Sequence, residues 1–194
     1  MNLNKISDEQ IVYNLQKIKN FNTPAFELYF DELFNRYKNQ IYCLCRYYGL
    51  QHEDSLDVIQ ETFIRLIKFL KSFKKNSTFK PWFFKIVLNL VRNKYHEINK
   101  NKFIAIEELS SDLPFDEENF EKIQNKEYIL GILNRIPTKF KEVILLNVYG
   151  EMSLEEVSIA LNISLRQVYN RQKKGYELIK EIVGAMNERG KNGL

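Results

Sequence analysis

Ser153-Leu154-Glu155-Glu156-Val157-Ser158-Ile159-Ala160-Leu161-Asn162-Ile163-Ser164-Leu165-Arg166-Gln167-Val168-Tyr169-Asn170 is the stretch whose reading decides the fold. Ser153 with Glu156, and Ser164 with Gln167, each have the spacing at which a hydroxyl and a longer polar side chain cap a helix start reciprocally. The first helix, Leu154 to Leu161, turns Leu154, Val157 and Leu161 inward and keeps the small Ser158 where helices approach. Asn162 tolerates the left-handed backbone that a tight turn needs, though less freely than Gly. Ile163 then fills the space between the helices. The second helix buries Leu165, Val168, Ile179, Ile182 and Val183, and Gly175 permits a close approach. These features predict a helix-turn-helix over Ser153 to Val183.

The outer face of that second helix carries Arg166, Gln167, Tyr169, Asn170, Lys173 and Lys174. Arg and Lys reach guanine edges, and Gln and Asn reach adenine, so this face suits the major groove of duplex DNA. Arg171 and Lys180 are better placed to clamp phosphates. The competing reading is a basic amphipathic helix packed in a bundle, which leaves the two capped starts around a three-residue turn unexplained.

Working outward, nearly every segment has helical periodicity and none alternates as a strand does. Ser7 with Gln10 begins a short helix with Ile11, Leu15 and Ile18 inward. Pro24 opens a longer one that runs to Tyr48, where Gly49 supplies the stop. A third helix runs from about Glu53 to Lys71, with Val58, Ile59, Phe63, Leu66, Ile67 and Leu70 on its apolar side. A fourth runs from about Pro81 to Ile98. Helical pattern resumes at Ile123 to Leu133, and Pro137 starts a helix through Val148 that Gly150 ends. The expected fold class is all-α: two small helical domains joined by an acidic linker, the C-terminal one a helix-turn-helix. The expected boundaries are residues 1–102, a linker over 103–122, a second domain over 123–187, and a flexible tail over 188–194.

Charge follows the same division. The 194 residues carry a net charge of only +4. From Thr62 to His96, however, there is no acidic residue, while Arg65, Lys68, Lys71, Lys74, Lys75, Lys80, Lys85, Arg92 and Lys94 all occur. From Phe103 to Glu121 there are only acidic charges, and a second basic cluster follows at Arg166, Arg171, Lys173, Lys174 and Lys180. Two basic blocks around an acidic one suggest two polyanion-facing surfaces. No apolar run approaches the roughly 20 residues that span a bilayer, and Met1 to Asn20 lacks the pattern of a signal peptide. The expected location is therefore the cytoplasm, without membrane insertion. Cys43 and Cys45 would point roughly 200° apart on a helix, which is poor for a disulfide. With His52 and His96 the only histidines, no zinc ligand set is evident. No metal, cofactor or small-molecule substrate is expected.

The fourth helix places Lys85, Asn89, Arg92 and His96 on one stripe. Just before it, Phe73, Phe79, Trp82 and Phe84 lie among Lys74, Lys75, Asn76, Ser77, Thr78 and Lys80. Rings for stacking, amides for base edges and cations for the backbone suit unstacked bases. An aromatic core beneath a solvated loop is the alternative, stronger for Phe79 and Phe84 than for Trp82.

Asp57-Val58-Ile59-Gln60-Glu61-Thr62-Phe63, followed by Phe79-Lys80-Pro81-Trp82-Phe83-Phe84-Lys85-Ile86-Val87-Leu88-Asn89, resembles the second conserved region of sigma factors, in particular the extracytoplasmic-function group of the sigma-70 family. Leu133-Asn134-Arg135-Ile136-Pro137 through Ile182 resembles that group's fourth region. The resemblance covers about residues 7–98 and 124–184, in the family's order. Asn162 stands where the family more usually has Gly, Ser158 stands for a common Ala, and Phe21 to Phe34 looks longer than usual.

The resemblance implies a promoter-specificity subunit of RNA polymerase, with no catalytic residue of its own. Asp54, Asp57, Ile59, Gln60, Glu61 and Phe63 would meet the beta-prime clamp helices of the polymerase core. Phe73, Lys74, Asn76, Ser77, Thr78, Phe79, Trp82, Lys85, Asn89, Arg92 and Asn93 would melt and read the −10 promoter element. Ser164, Arg166, Gln167, Tyr169, Asn170, Arg171, Lys173 and Lys174 would read the −35 element as duplex. The expected partners are thus core polymerase, promoter DNA and an anti-sigma factor. Two other classes stay in play on the residues alone: a helix-turn-helix repressor or activator with a helical sensing domain, and a small helical enzyme on nucleic acid. Against the second stands the absence of any His-Cys or Ser-His pairing and of a Gly-rich phosphate loop.

Overall fold

The computed structural model describes residues 6–102 and 128–191, without the side chains of 101–102 and 187–191. Among these residues every regular element is helical. In order they are α1 (Asp8–Lys17), α2 (Pro24–Tyr48), α3 (His52–Phe69) with a 3-10 turn at Leu70–Ser72, and α4 (Phe79–Lys102). Residues 128–133 form α5, followed by α6 (Thr138–Val148), α7 (Leu154–Leu161) and α8 (Leu165–Lys191). The expected acidic linker over 103–122 lies outside the described residues.

Local signals in the sequence explain most of the boundaries. Thr23 accepts the Phe26 amide at the start of α2, Pro24 occupies its first turn, and Gly49 ends it at φ 94° in the left-handed region. Ser7 caps α1 through the Gln10 amide. Gln10 Nε2 in turn donates to Asn14 Oδ1 at 3.1 Å, one turn further along α1. Helix α8 runs to Lys191, past residue 188 where the tail was expected to begin.

Helices α1 to α4 form the N-terminal unit around an aromatic core. Tyr37 meets Phe79, Phe83 and Phe84 edge-on, and Phe63 meets Phe30, Phe34 and Phe83. Helices α6 to α8 form the C-terminal unit around Val143, Leu145, Leu146, Val157 and Val168. A Cβ on Gly175 would come within 2.7 Å of the end of Ile144, so the glycine is what lets α8 lie close on α6. The two units also pack on each other. Helix α7 lies against α4 and α6 touches α2, so one apolar cluster runs through both units. Sequence patterning marked two domains, and the structure joins their cores.

Candidate nucleic-acid interface

The helix-turn-helix forms as its residues dictate. Ser153 accepts the Glu156 amide while Glu156 accepts the Ser153 amide, completing a capping box on α7. Asn162 takes the left-handed conformation at φ 54° and ψ 48°. The Ser164 amide donates to Gln167 Oε1 at 3.0 Å, and the Gln167 amide donates to Ser164 Oγ at 3.2 Å, which fixes the N-terminus of α8. Arg166, Gln167, Tyr169, Asn170, Lys173 and Lys174 are all exposed on that helix. Arg171 is half-buried, and Lys174 is shared with Glu177 at 3.3 Å.

Sequence reasoning missed how this helix is oriented. Gln172 Nε2 donates to Asn147 Oδ1 at 3.1 Å, and Asn147 Nδ2 donates to the Met152 carbonyl at 2.8 Å. This amide relay ties α8 to α6 and to the turn before α7. Its only signal in the sequence was two polar residues on otherwise inward faces.

The expected −10 residues divide by burial. Phe79 is fully buried and Phe73 nearly so, at 0% and 6% exposure. Phe79 stacks on Phe83 and meets Phe73 edge-on, so neither ring offers a face to a base. For these two the core reading replaces the stacking one. Trp82 is half-buried and packed on Phe73 and Phe79. Lys74, Asn76, Thr78, Lys85, Asn89 and Asn93 are exposed, and Ser77 is half-exposed. Arg92 departs from its stripe: it donates two bonds, of 2.7 and 2.8 Å, to Glu142 of α6. That bonding is the main reason its guanidinium is held above its ordinary pKa.

Helix α1 supplies a support that the sequence did not reveal. Glu9 Oε1 accepts the Phe79 amide at 2.9 Å, capping α4 from another helix. Gln16 Nε2 donates to the Leu70 and Phe73 carbonyls at 2.8 and 2.9 Å. Lys75 lies 5.2 Å above the Tyr13 ring. Between α1 and the loop is an open cleft of about 250 Å³ lined by Ser7, Glu9, Gln10, Tyr13, Gln16, Phe73 and Lys75. It offers a ring, amides, a carboxylate and a cation together.

On α3, Asp57 and Gln60 are exposed, Asp54 and Glu61 half-exposed. Lys94 of α4 sits 3.1 Å from Asp54 and 3.7 Å from Asp57, and the Asp54 bond is the chief cause of its raised pKa. Ile59 and Phe63 belong to the core and present no surface, which corrects their assignment to a docking face. The exposed large apolar residues of this helix are instead Leu56, Ile64 and Phe69, the first two four positions either side of Gln60.

Among the described residues no group of His, Cys, Asp and Glu is placed to hold a metal, and no helix is long and apolar enough to cross a membrane. Cys43 and Cys45 form no disulfide, and burial pushes the Cys45 thiol up to about 12.

Known proteins match this arrangement. Residues 33–100 match the family model described as Sigma-70 region 2. The RNA polymerase sigma factor NccH of Alcaligenes xylosoxydans xylosoxydans is 30% identical over 148 residues, covering 73% of this chain and 80% of that protein. The ECF RNA polymerase sigma factor SigW of Bacillus subtilis is 27% identical over 164 residues, covering 78% and 87%. The solved structure of CnrH in complex with the cytosolic domain of CnrY has the same fold, with a TM-score of 0.71 at 21% identity, over 92% of this chain and 97% of that one. The ordered pair of motifs, the helical architecture and the relatives agree: the chain belongs to the extracytoplasmic-function group of the sigma-70 family of RNA polymerase sigma factors.

Proposed function

We propose that this chain brings RNA polymerase core to specific promoters, opening the −10 element with its N-terminal unit and reading the −35 element as duplex with α8. The observation that carries the reading is the exposed set Arg166, Gln167, Tyr169, Asn170, Lys173 and Lys174 on a helix whose start is fixed by a capping box. Such a face positions base-reading amides and guanidinium over the groove and cations over phosphates.

At the other end, Lys74, Asn76, Ser77, Thr78, Trp82, Lys85, Asn89 and Asn93 engage the −10 strand, and the cleft beside Tyr13 and Lys75 accepts an unstacked base. Capture of that base offsets the few kcal/mol of unstacking, with no covalent step. The chain acts by binding and not by catalysis. Its docking face for the beta-prime clamp helices is α3, with Asp54, Asp57, Gln60 and Glu61 as the polar contacts and Leu56 and Ile64 as the apolar ones. The chain works in the cytoplasm. An anti-sigma factor restrains it, a reading supported by the solved complex of the Bartonella quintana sigma factor RpoE with the anti-sigma factor NepR, whose sigma chain shares this fold at a TM-score of 0.59.

The test is run-off transcription with purified core polymerase on the chain's own upstream region. Specific initiation that requires both components is expected. Core binding should fail when Asp57 and Gln60 are changed together to Ala. Tight binding of the chain alone to a palindromic duplex, with no core-dependent initiation, would refute the reading.

A further inference from the structure

Helix α8 must present Arg166, Gln167 and Asn170 at one angle if bases are to be read, and much of what holds it to α6 is apolar. Val168 is fully buried, and Gly175 lies close against Ile144. Further along, the joint is not filled: an open apolar cavity of about 200 Å³ is lined in part by Ile132, Ile144, Val148 and Ile179. Apolar contact is non-directional. Beside a glycine and a cavity it does little to set the rotation of α8 about its own axis.

A directional contact supplies what packing leaves open, and its sense is dictated from the far end. Met152, the residue before the Ser153 cap of α7, offers Asn147 a carbonyl, which can only accept. Asn147 therefore aims its amide nitrogen there, at 2.8 Å, and turns its oxygen to α8. Helix α8 must then supply a donor, and Gln172 Nε2 is that donor, at 3.1 Å. The turn that anchors the relay is tightly set. A Cβ on Gly150 would come within 2.5 Å of the Leu146 carbonyl oxygen, and the Met152 amide donates to that oxygen at 3.2 Å.

Gln172 is half-buried, while Arg166, Gln167 and Asn170 are exposed. At about 100° per residue it lies about 120–160° around the helix from them. We propose that Gln172 and Asn147 are positioning residues for base reading: without touching DNA, they fix the rotation at which α8 presents Arg166, Gln167 and Asn170. That the DNA is the −35 duplex rests on the function proposed above. Magnitudes favour an effect on sequence discrimination over one on general affinity. Side chains reach about 5–6 Å from a helix axis, so a turn of about 10–20° moves a reading atom by about 1–2 Å. A planar pairing to a base edge does not survive that displacement. The long side chains of Lys173 and Lys174 still reach a phosphate.

The experiment uses holoenzyme assembled from core polymerase and the full chain. Duplexes carrying the −35 region upstream of the chain's own gene, and single-base variants of it, are titrated beside a duplex of unrelated sequence. Gln172→Met keeps the length of the side chain and removes the donor. It should cut the preference for matched over mismatched duplexes by at least about threefold, a part of the roughly 5–150-fold that a good base pairing supplies. Binding to the unrelated duplex should stay within about twofold, since phosphate contacts carry it. Asn147→Ala breaks the relay from the other side and should lower the preference likewise. The double variant should lose no more than the larger single loss, because both substitutions remove one contact. Asn147→Asp still accepts from Gln172 and should keep most of the preference that Asn147→Ala loses. A merely structural role would weaken binding to every duplex alike and leave the preference unchanged. Circular dichroism confirms folding, and Asn147→Ala against Asn147→Asp decides the matter if Gln172→Met does not fold. An unchanged preference in Gln172→Met, or an equal loss on matched and mismatched duplexes, overturns the proposal and leaves the −35 reading intact. Wild-type holoenzyme with no preference among the duplexes refutes the −35 reading, and the positioning role with it.

Discussion

The carboxylate of Glu9 accepts the backbone amide of Phe79 at 2.9 Å, so the helix that carries Trp82, Lys85 and Asn89 is capped by a residue from the first helix. An acid at a helix start satisfies an otherwise orphaned amide and opposes the helix dipole. Glu9→Ala should therefore cost about 1 kcal/mol in denaturant unfolding. It should also weaken strand opening on a −10 template more than it weakens core binding. Equal losses in both would show that Glu9 acts only on stability.

On α8 the base-reading and phosphate contacts separate by salt. Asn170→Ala should lose about 1–3 kcal/mol of binding at one base pair, with the thermal midpoint unchanged. Lys173→Ala should weaken binding to all sequences alike and reduce the slope of log affinity against log salt by about 1. Titration of −35 duplexes at several salt concentrations, with holoenzyme, checks both.

The left-handed Asn162 gives a local test of the turn. Asn162→Gly should be neutral or stabilising, since glycine adopts this conformation without a steric penalty, whereas Asn162→Ala should destabilise by about 1 kcal/mol. Thermal unfolding of the two variants decides it, and equal midpoints would mean the turn relaxes around the substitution.

Two substitutions on α3 distinguish core from docking face. Ile59→Ala removes a buried side chain and should cost about 2–5 kcal/mol of stability. Ile64→Asp changes an exposed one, so stability should move by no more than about 0.5 kcal/mol while affinity for core polymerase falls. Urea unfolding and a core-binding titration on each variant form the check.

Alkaline pH should weaken the fold. Burial, aided by Asp8 at Tyr37 and by Glu142 at Tyr48, holds both hydroxyls well above the ordinary 10.0. The folded chain thus binds these protons more tightly than the unfolded one. Their contribution is fully present below that ordinary value and is lost progressively as pH rises above it. Unfolding free energies measured on either side of about pH 10 should show the fall, and Tyr48→Phe should make it shallower.

How much of this was legible in the sequence follows the range of each interaction. Ser153, Asn162, Ser164 and Gln167 determined the helix-turn-helix by themselves, because a cap or a turn is settled by residues within four positions. The same local logic placed α2 between Pro24 and Gly49 and put the reading face at Arg166 to Lys174. Periodicity of about 3.6 marked which helices exist. It also put Ile59 and Phe63 on the apolar side of α3, where the structure has them, and only the family resemblance set them on a docking face. It could not say that Phe73 and Phe79 both turn inward, because rings in a basic, amide-rich loop suit either a core or a base. Only tertiary packing chose among them. Contacts between distant elements carried no local signature at all: Glu9 on Phe79, Gln16 under the loop, Asn147 to Gln172, and above all Glu142 between Arg92 and Tyr48. Sequence alone could set out two basic surfaces and an acidic stretch between them. That one of those cations is already held by the other half of the chain depends on how two apolar faces meet, and that is decided only when the chain is folded.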